Sequence, residues 1–322
     1  MSKLRANVRL RKYAQLADRK RSHSDTYTRS TTMSTLFESN NSPPHLSLED
    51  TVSISTVFHP GSQPQPDSIL SSSDGVLFYV HSPTLVQLFP NVFRHSGFAP
   101  LSDPMFRDIL FPLDIPANEL NVMLHALYRT SAAVHSPGWD TLLASVDRMP
   151  TCNITPNRLI LPSTPIHELL LSYASLKPLE LYALGAFYDI HSLAVSSSSY
   201  LLSYDIATIT DRMAERIGAI HLKKLMVLHM ERSLSFRAIL LSYPLYYPST
   251  IDCAFQDQCR LNHVWALIAA YLVWDSRADL SIRSLKLALD SPENLTCDVC
   301  RQVLQDRIKN VLARWSSVKR TI

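Results

Sequence analysis

The sequence predicts an α+β protein, a small sheet packed with helices and followed by an all-helical C-terminal extension. Three observations carry this. Two β-rich runs, 68–71 and 76–80, flank an Asp-Gly turn. From Ala117 onward apolar residues recur at helical spacing. After Asp205 every apolar stretch is helix-like, with prolines as breakers between the segments.

Residues 1–50 are rich in Ser, Thr, Asn, Arg and Lys and are expected to be a disordered basic tail. A short amphipathic segment around Leu4–Leu16 suits a presequence or a membrane surface, but Asp18 and Asp25 argue against a presequence. Asp18-Arg-Lys-Arg21 has the composition of a nuclear signal, but a solvated basic tail is the expected reading. Ser68–Ser71 and Val76–Val80 are expected to form a hairpin through Ser73-Asp74-Gly75. Ser82 is expected to cap a short helix with Pro83 at its first position. Arg107–Pro112 reads as a third strand and Ala117–Tyr128 as a helix. Residues 129–162 read as a long connection, with a short helix near Trp139–Val146 and Ile154–Leu161 as loop. Helices are then expected over Ile166–Leu176, Pro178–Asp189 and, capped by Ser192, up to Ser203. The C-terminal candidates are Ile206–Ile217, Leu222–Tyr243, Leu261–Trp274, Ser281–Leu289 and Cys297–Val318. This divides the chain into a tail (1–50), a sheet-containing domain (51–204) and a helical region (205–322).

Composition narrows the function. Hydrophobic residues are 46% and charged residues 18% of 322, enough for a sizeable core. The net charge is +3, yet nine basic and two acidic residues fall in the first 30, which leaves −4 for the rest. A nucleic-acid footprint on the folded part is therefore not expected. Five cysteines, an odd number, suggest a reducing compartment, the cytoplasm and/or nucleus. There the acceptor-like Asn153-Ile-Thr155 and Asn294-Leu-Thr296 carry no meaning. The longest apolar run, Val264–Trp274, is about half what a membrane span needs, so no membrane partner is expected.

The six glycines form no phosphate loop or dinucleotide fingerprint, and there is no Gly-x-Ser-x-Gly elbow. His167-Glu168 lacks the second His of a zincin and reads as an exposed pair at a helix start. His229 reads as a satisfied core histidine, and Trp265, Tyr271 and Trp274 as core packing. No catalytic residue and no cofactor are expected. Cys297-x-x-Cys300 has metal-ligand spacing, with Cys253, Cys259 and His263 upstream. Buried structural thiols, a zinc site built from Cys253, Cys259, Cys297 and Cys300, and a redox pair are the alternatives, and the first is the expected one.

The stretch Asp67-Ser-Ile-Leu-Ser-Ser-Ser-Asp-Gly-Val-Leu-Phe-Tyr-Val-His81 resembles the opening of BTB/POZ domains, where a strand, an Asp-Gly turn and a second strand lead into a His and a helix, here reaching Leu85. Phe106–Phe111 resembles their third strand, and Glu119–Tyr128, ending Ala126-Leu-Tyr128, a later helix. Leu179–Val195 and Cys297–Ile322 are similar to segments of BTB-domain proteins expanded in mushroom-forming fungi. The resemblance implies a non-enzymatic protein-interaction module that self-associates as a homodimer or docks an adaptor such as a cullin-type ubiquitin-ligase scaffold. Leu85, Val86, Leu88 and Phe89 of the first helix are the expected contact residues, more apolar surface than one short helix buries alone. The second reading is a nuclear regulator that touches nucleic acid through the basic tail and dimerises through the BTB-like region.

Overall fold

The computed structural model describes residues 53–98, 110–242, 247–274, 276–289 and 295–322. The expected disordered tail, the start of the third strand (107–109) and the breakers Pro244 and Pro292 lie outside these residues. Among the described residues the fold is α+β, with a mixed four-stranded sheet and twelve helices.

The strands are β1 (Ser53–Ile54), β2 (Ser68–Ser71), β3 (Val76–Val80) and β4 (Leu110–Pro112), in the order β1-β3-β2-β4. β2 and β3 are antiparallel, with Leu70 opposite Phe78. β1 runs parallel to β3, and β4 parallel to β2. Alternation turns Ser68 and Leu70 of β2, and Phe78 and Val80 of β3, inward. The turn closes through the Gly75 N–H, which donates to the Ser72 carbonyl at 3.0 Å. Gly75 has φ +82°, a conformation that suits glycine because it has no Cβ. The Asp74 carboxylate leaves the turn and accepts the Ala117 N–H at 2.9 Å, at the start of the next long helix. A hydrogen bond from the Ser72 side chain, the first of the causes, together with the Ala117 N–H holds the Asp74 carboxyl below its usual range.

Helix α1 (Ser82–Leu88) begins one residue earlier than expected. His81, not Ser82, is the cap, and its Nδ1 lies 2.7 Å from Thr84 Oγ1. Ser82 is buried because Asp67 accepts both its N–H and its hydroxyl, each at 2.7 Å. Helix α2 (Ala117–Leu127) follows β4, and α3 (Trp139–Arg148) forms inside the long connection. Ile154–Leu161 is not all loop. Pro156, already fixed near helical φ, starts α4 (Pro156–Leu159), which buries Leu159.

Helix α5 (Pro165–Ser172) stops short of Leu176. Lys177 precedes Pro178, a position that disfavours helical backbone, and α6 (Pro178–Phe187) starts afresh. Helix α7 (His191–Ser198) is not capped by Ser192, whose hydroxyl instead lies 2.9 Å from His167 Nε2. His167 is accordingly buried, not exposed as expected. Gly185 lets α6 and α7 cross closely, since a Cβ there would lie 2.8 Å from the Ala194 nitrogen. The segment expected to run as one helix over 206–217 is a short 3-10 turn followed by α8 (Asp211–Ile217), because Thr210 Oγ1 accepts the Met213 N–H and starts a new helix. Gly218, at φ +76°, separates α8 from α9 (Ala219–Leu240). Helices α10 (Phe255–Trp274), α11 (Ile282–Leu289) and α12 (Asp298–Ser316) complete the chain.

Apolar burial falls into clusters. One joins the sheet to α1, α2, α3 and α5 around Leu70, Phe78, Leu85, Met123 and Leu142. Another lies among α9–α12 around Phe236, Trp265, Leu285 and Trp315. A third joins α6 and α7 to α8 and α9 through Tyr182, Ala194, Leu201, Ile217 and Leu225. Polar ties run alongside it. Arg216 donates to both Asp147 oxygens at 2.7 and 3.0 Å, and the Tyr182 hydroxyl donates to the His221 carbonyl at 2.7 Å.

Candidate functional site

The first-helix residues expected to make contacts are separated by the fold. Leu85 and Phe89 are buried in the sheet cluster, and Val86 packs against it half-buried. Only Leu88, 41% exposed, faces solvent. The four do not make one exposed face, because the underside of α1 is needed to cover the sheet.

A larger apolar surface lies on α9. Met226, Met230 and Leu234, with Leu241 at the C-terminal cap, recur at spacings of four, four and seven along one stripe, each about half exposed. Leu225, Leu228, Phe236, Ile239 and Leu240 occupy the buried side. Lys223, Lys224 and Arg237 are exposed around the stripe, with Glu231 the acidic residue beside them. On α10, Trp265 is buried and its indole N–H donates to the Leu240 carbonyl at 3.0 Å. Tyr271 and Trp274, expected in the core, are 70% and 92% exposed and join Leu267 on an outward edge. Apolar spacing marks both faces of such a helix, so sequence alone does not say which face is covered.

The cysteines separate as well. Cys253, Cys297 and Cys300 converge, their sulfurs all within 4.8 Å of one another. Cys259 is exposed and outside the group, and His263 is exposed too. Cys253 comes from a tight turn bridged between Thr250 and Cys253. Cys297 is the cap of α12, and Cys300 lies one turn in, buried in the α9–α12 cluster. The Cys253 and Cys300 sulfurs are 3.6 Å apart, and the Tyr247 hydroxyl stands 3.2 Å from each. The Cys297 thiol donates to the Asp252 carbonyl. Backbone N–H of Cys300 at the helix start lowers the Cys297 pKa, while burial raises Cys300 to about 12 and raises Tyr247.

Two histidines elsewhere are tied into structure. His125 is buried between Phe58 and His135, with Nδ1 2.8 Å from Thr130 Oγ1, and burial followed by His135 lowers its pKa to about 4. His229 is half-buried with Nε2 3.0 Å from the Leu201 carbonyl. A shallow, open cleft lined by Ser55, Phe78, Asn118, Asn121 and His135 brings one titratable side chain together with amides and a hydroxyl. Among the described residues, no helix is long and apolar enough to cross a membrane.

Comparison with family models, with curated proteins and with solved structures returns no match.

Proposed function

We propose that the chain is a non-enzymatic protein-interaction module of BTB/POZ type, whose partner docks on the exposed stripe of α9. The α+β arrangement supports the class. A hairpin with an Asp-Gly turn feeds a short helix, and a further strand precedes a longer one. The observation that carries the function is the row Met226, Met230, Leu234 and Leu241, since exposed large apolar side chains grouped on one face of a folded protein mark a contact surface. Methionines suit such a surface because their unbranched side chains adapt to a partner. The occupant is an amphipathic helix with an acidic flank. Lys223, Lys224 and Arg237 outnumber Glu231 around the row, and parallel pairing of α9 with a copy of itself sets each cation against its own copy.

A photo-crosslinking residue at Met230 of the full chain, expressed in its natural host, tests this. The expected product is a crosslink to an acidic, amphipathic helical segment of another protein, lost with Leu234→Glu. A crosslink only to this same chain, or one unaffected by Leu234→Glu, overturns the proposal.

A further inference from the structure

We propose that Cys253, Cys297 and Cys300 bind one zinc ion as a three-thiolate site that pins the 250–253 turn to the start of α12. The three sulfurs come from two separate segments and lie within 4.8 Å of one another. Tetrahedral zinc with Zn–S bonds of about 2.3 Å needs sulfurs about 3.8 Å apart. The Cys253–Cys300 pair, at 3.6 Å, already meets that spacing. A redox pair needs two thiols, whereas here a third converges on the same point.

Three thiolates around a divalent cation carry one net negative charge, which burial penalises. The site contains what offsets it. Cys297 caps a helix of 19 residues, so the positive end of the α12 dipole faces the sulfurs. The Tyr247 hydroxyl, within hydrogen-bonding reach of two sulfurs, donates to a thiolate from outside the ligand set. Among the described residues no fourth Cys, His, Asp or Glu joins the cluster. Cys259 takes no part, since it is exposed in the first turns of α10.

The test is titration of Co(II) into the reduced, full-length chain. The expected result is one Co(II) per chain, with the intense visible bands of tetrahedral coordination and a thiolate charge-transfer band, both removed by zinc. Cys297→Ser, at the half-buried rim, is expected to abolish the bands. Cys259→Ser is expected to leave them intact. Tyr247→Phe is expected to weaken binding roughly 10- to 100-fold, as loss of an outer hydrogen bond does at other metal sites. Absence of the bands in the wild-type chain overturns the proposal whatever the variants do. So does a spectrum insensitive to Cys297→Ser, or a thiol count showing a Cys253–Cys300 disulfide in the freshly purified protein.

Discussion

Replacing Arg232 with Met removes a guanidinium that works from inside the core. The side chain is 2% exposed, its hydrogen-bond partners are backbone carbonyls, and the Asp279 carboxylate is near enough to favour its charge. Its Nε donates to the Ala278 carbonyl at 2.7 Å, and one terminal nitrogen to the Val318 and Lys319 carbonyls at 3.0 and 2.8 Å. The guanidinium also stacks 4.3 Å from the centre of the Trp315 ring. Val318 and Lys319 lie just past Ser317, the C-terminal cap of α12, so the Arg232 charge sits near the negative end of that helix. Burial lowers its pKa to about 10, which leaves it charged at neutral pH. Met fills the volume of the stem but donates nothing, and three carbonyls lose their partner. Leaving a buried acceptor without its donor costs about 1–3 kcal/mol, so three carbonyls, two of them near the chain end where water can reach, together lose about 3–5 kcal/mol. At a urea m-value of about 3 kcal/mol/M, the unfolding midpoint should fall by roughly 1–1.7 M. Trypsin should also cleave after Lys319 and Arg320 sooner than in the wild type. Arg232→Lys, which keeps the charge but loses the planar fork, should fall between the two. A midpoint for Arg232→Met within about 0.3 M of the wild type, equivalent to about 1 kcal/mol, would refute the reasoning.

Other expectations follow from single contacts. Gly75→Val should lower the melting temperature, because a β-branched residue at φ +82° is strained by about 1–2 kcal/mol or more; an unchanged melting temperature excludes that turn geometry. Gly185→Ala should cost about 1–3 kcal/mol in chemical denaturation, since its Cβ meets backbone of α7 at 2.8 Å. Stability should decline as pH falls from about 6.5 toward 4. His125 is held neutral in the fold with a pKa of about 4, so the unfolded chain binds its proton first. Burial lowers His221 and His229 as well and acts in the same direction. Denaturant midpoints across that pH range, compared with those of His125→Phe, should show a shallower slope in the variant.

The hairpin was legible because period-two alternation and an Asp-Gly turn are local signals, and both strands match their expected bounds. β1 was not, since two residues leave no pattern and its pairing with β3 is made only by the fold. Helix existence was legible along most of the chain, while helix ends moved wherever a side chain was claimed elsewhere, as Ser82 is by Asp67 and Ser192 by His167. The Cys-x-x-Cys half of the thiol cluster could be read from spacing, because residues three apart at a helix start share a side. Cys253 could not be preferred over Cys259 by spacing, since the choice depends on a turn that points one sulfur in and a helix that points the other out. Tyr271 and Trp274 show the same limit for aromatic residues.

The cluster joining α6 and α7 to α9 has a consequence for synthesis on the ribosome. The Tyr182 hydroxyl finds its acceptor at His221, 39 residues further along the chain, and Leu225, still later, covers the same apolar group. The pair is complete at Ser198 and Leu225 comes 27 residues later, so at about 5–20 residues per second the newly made α6–α7 pair waits roughly 1–5 s with that face bare. Slow codons between Ser198 and Leu225 would lengthen the wait, which makes this stretch the place where translation speed bears on yield of the native chain.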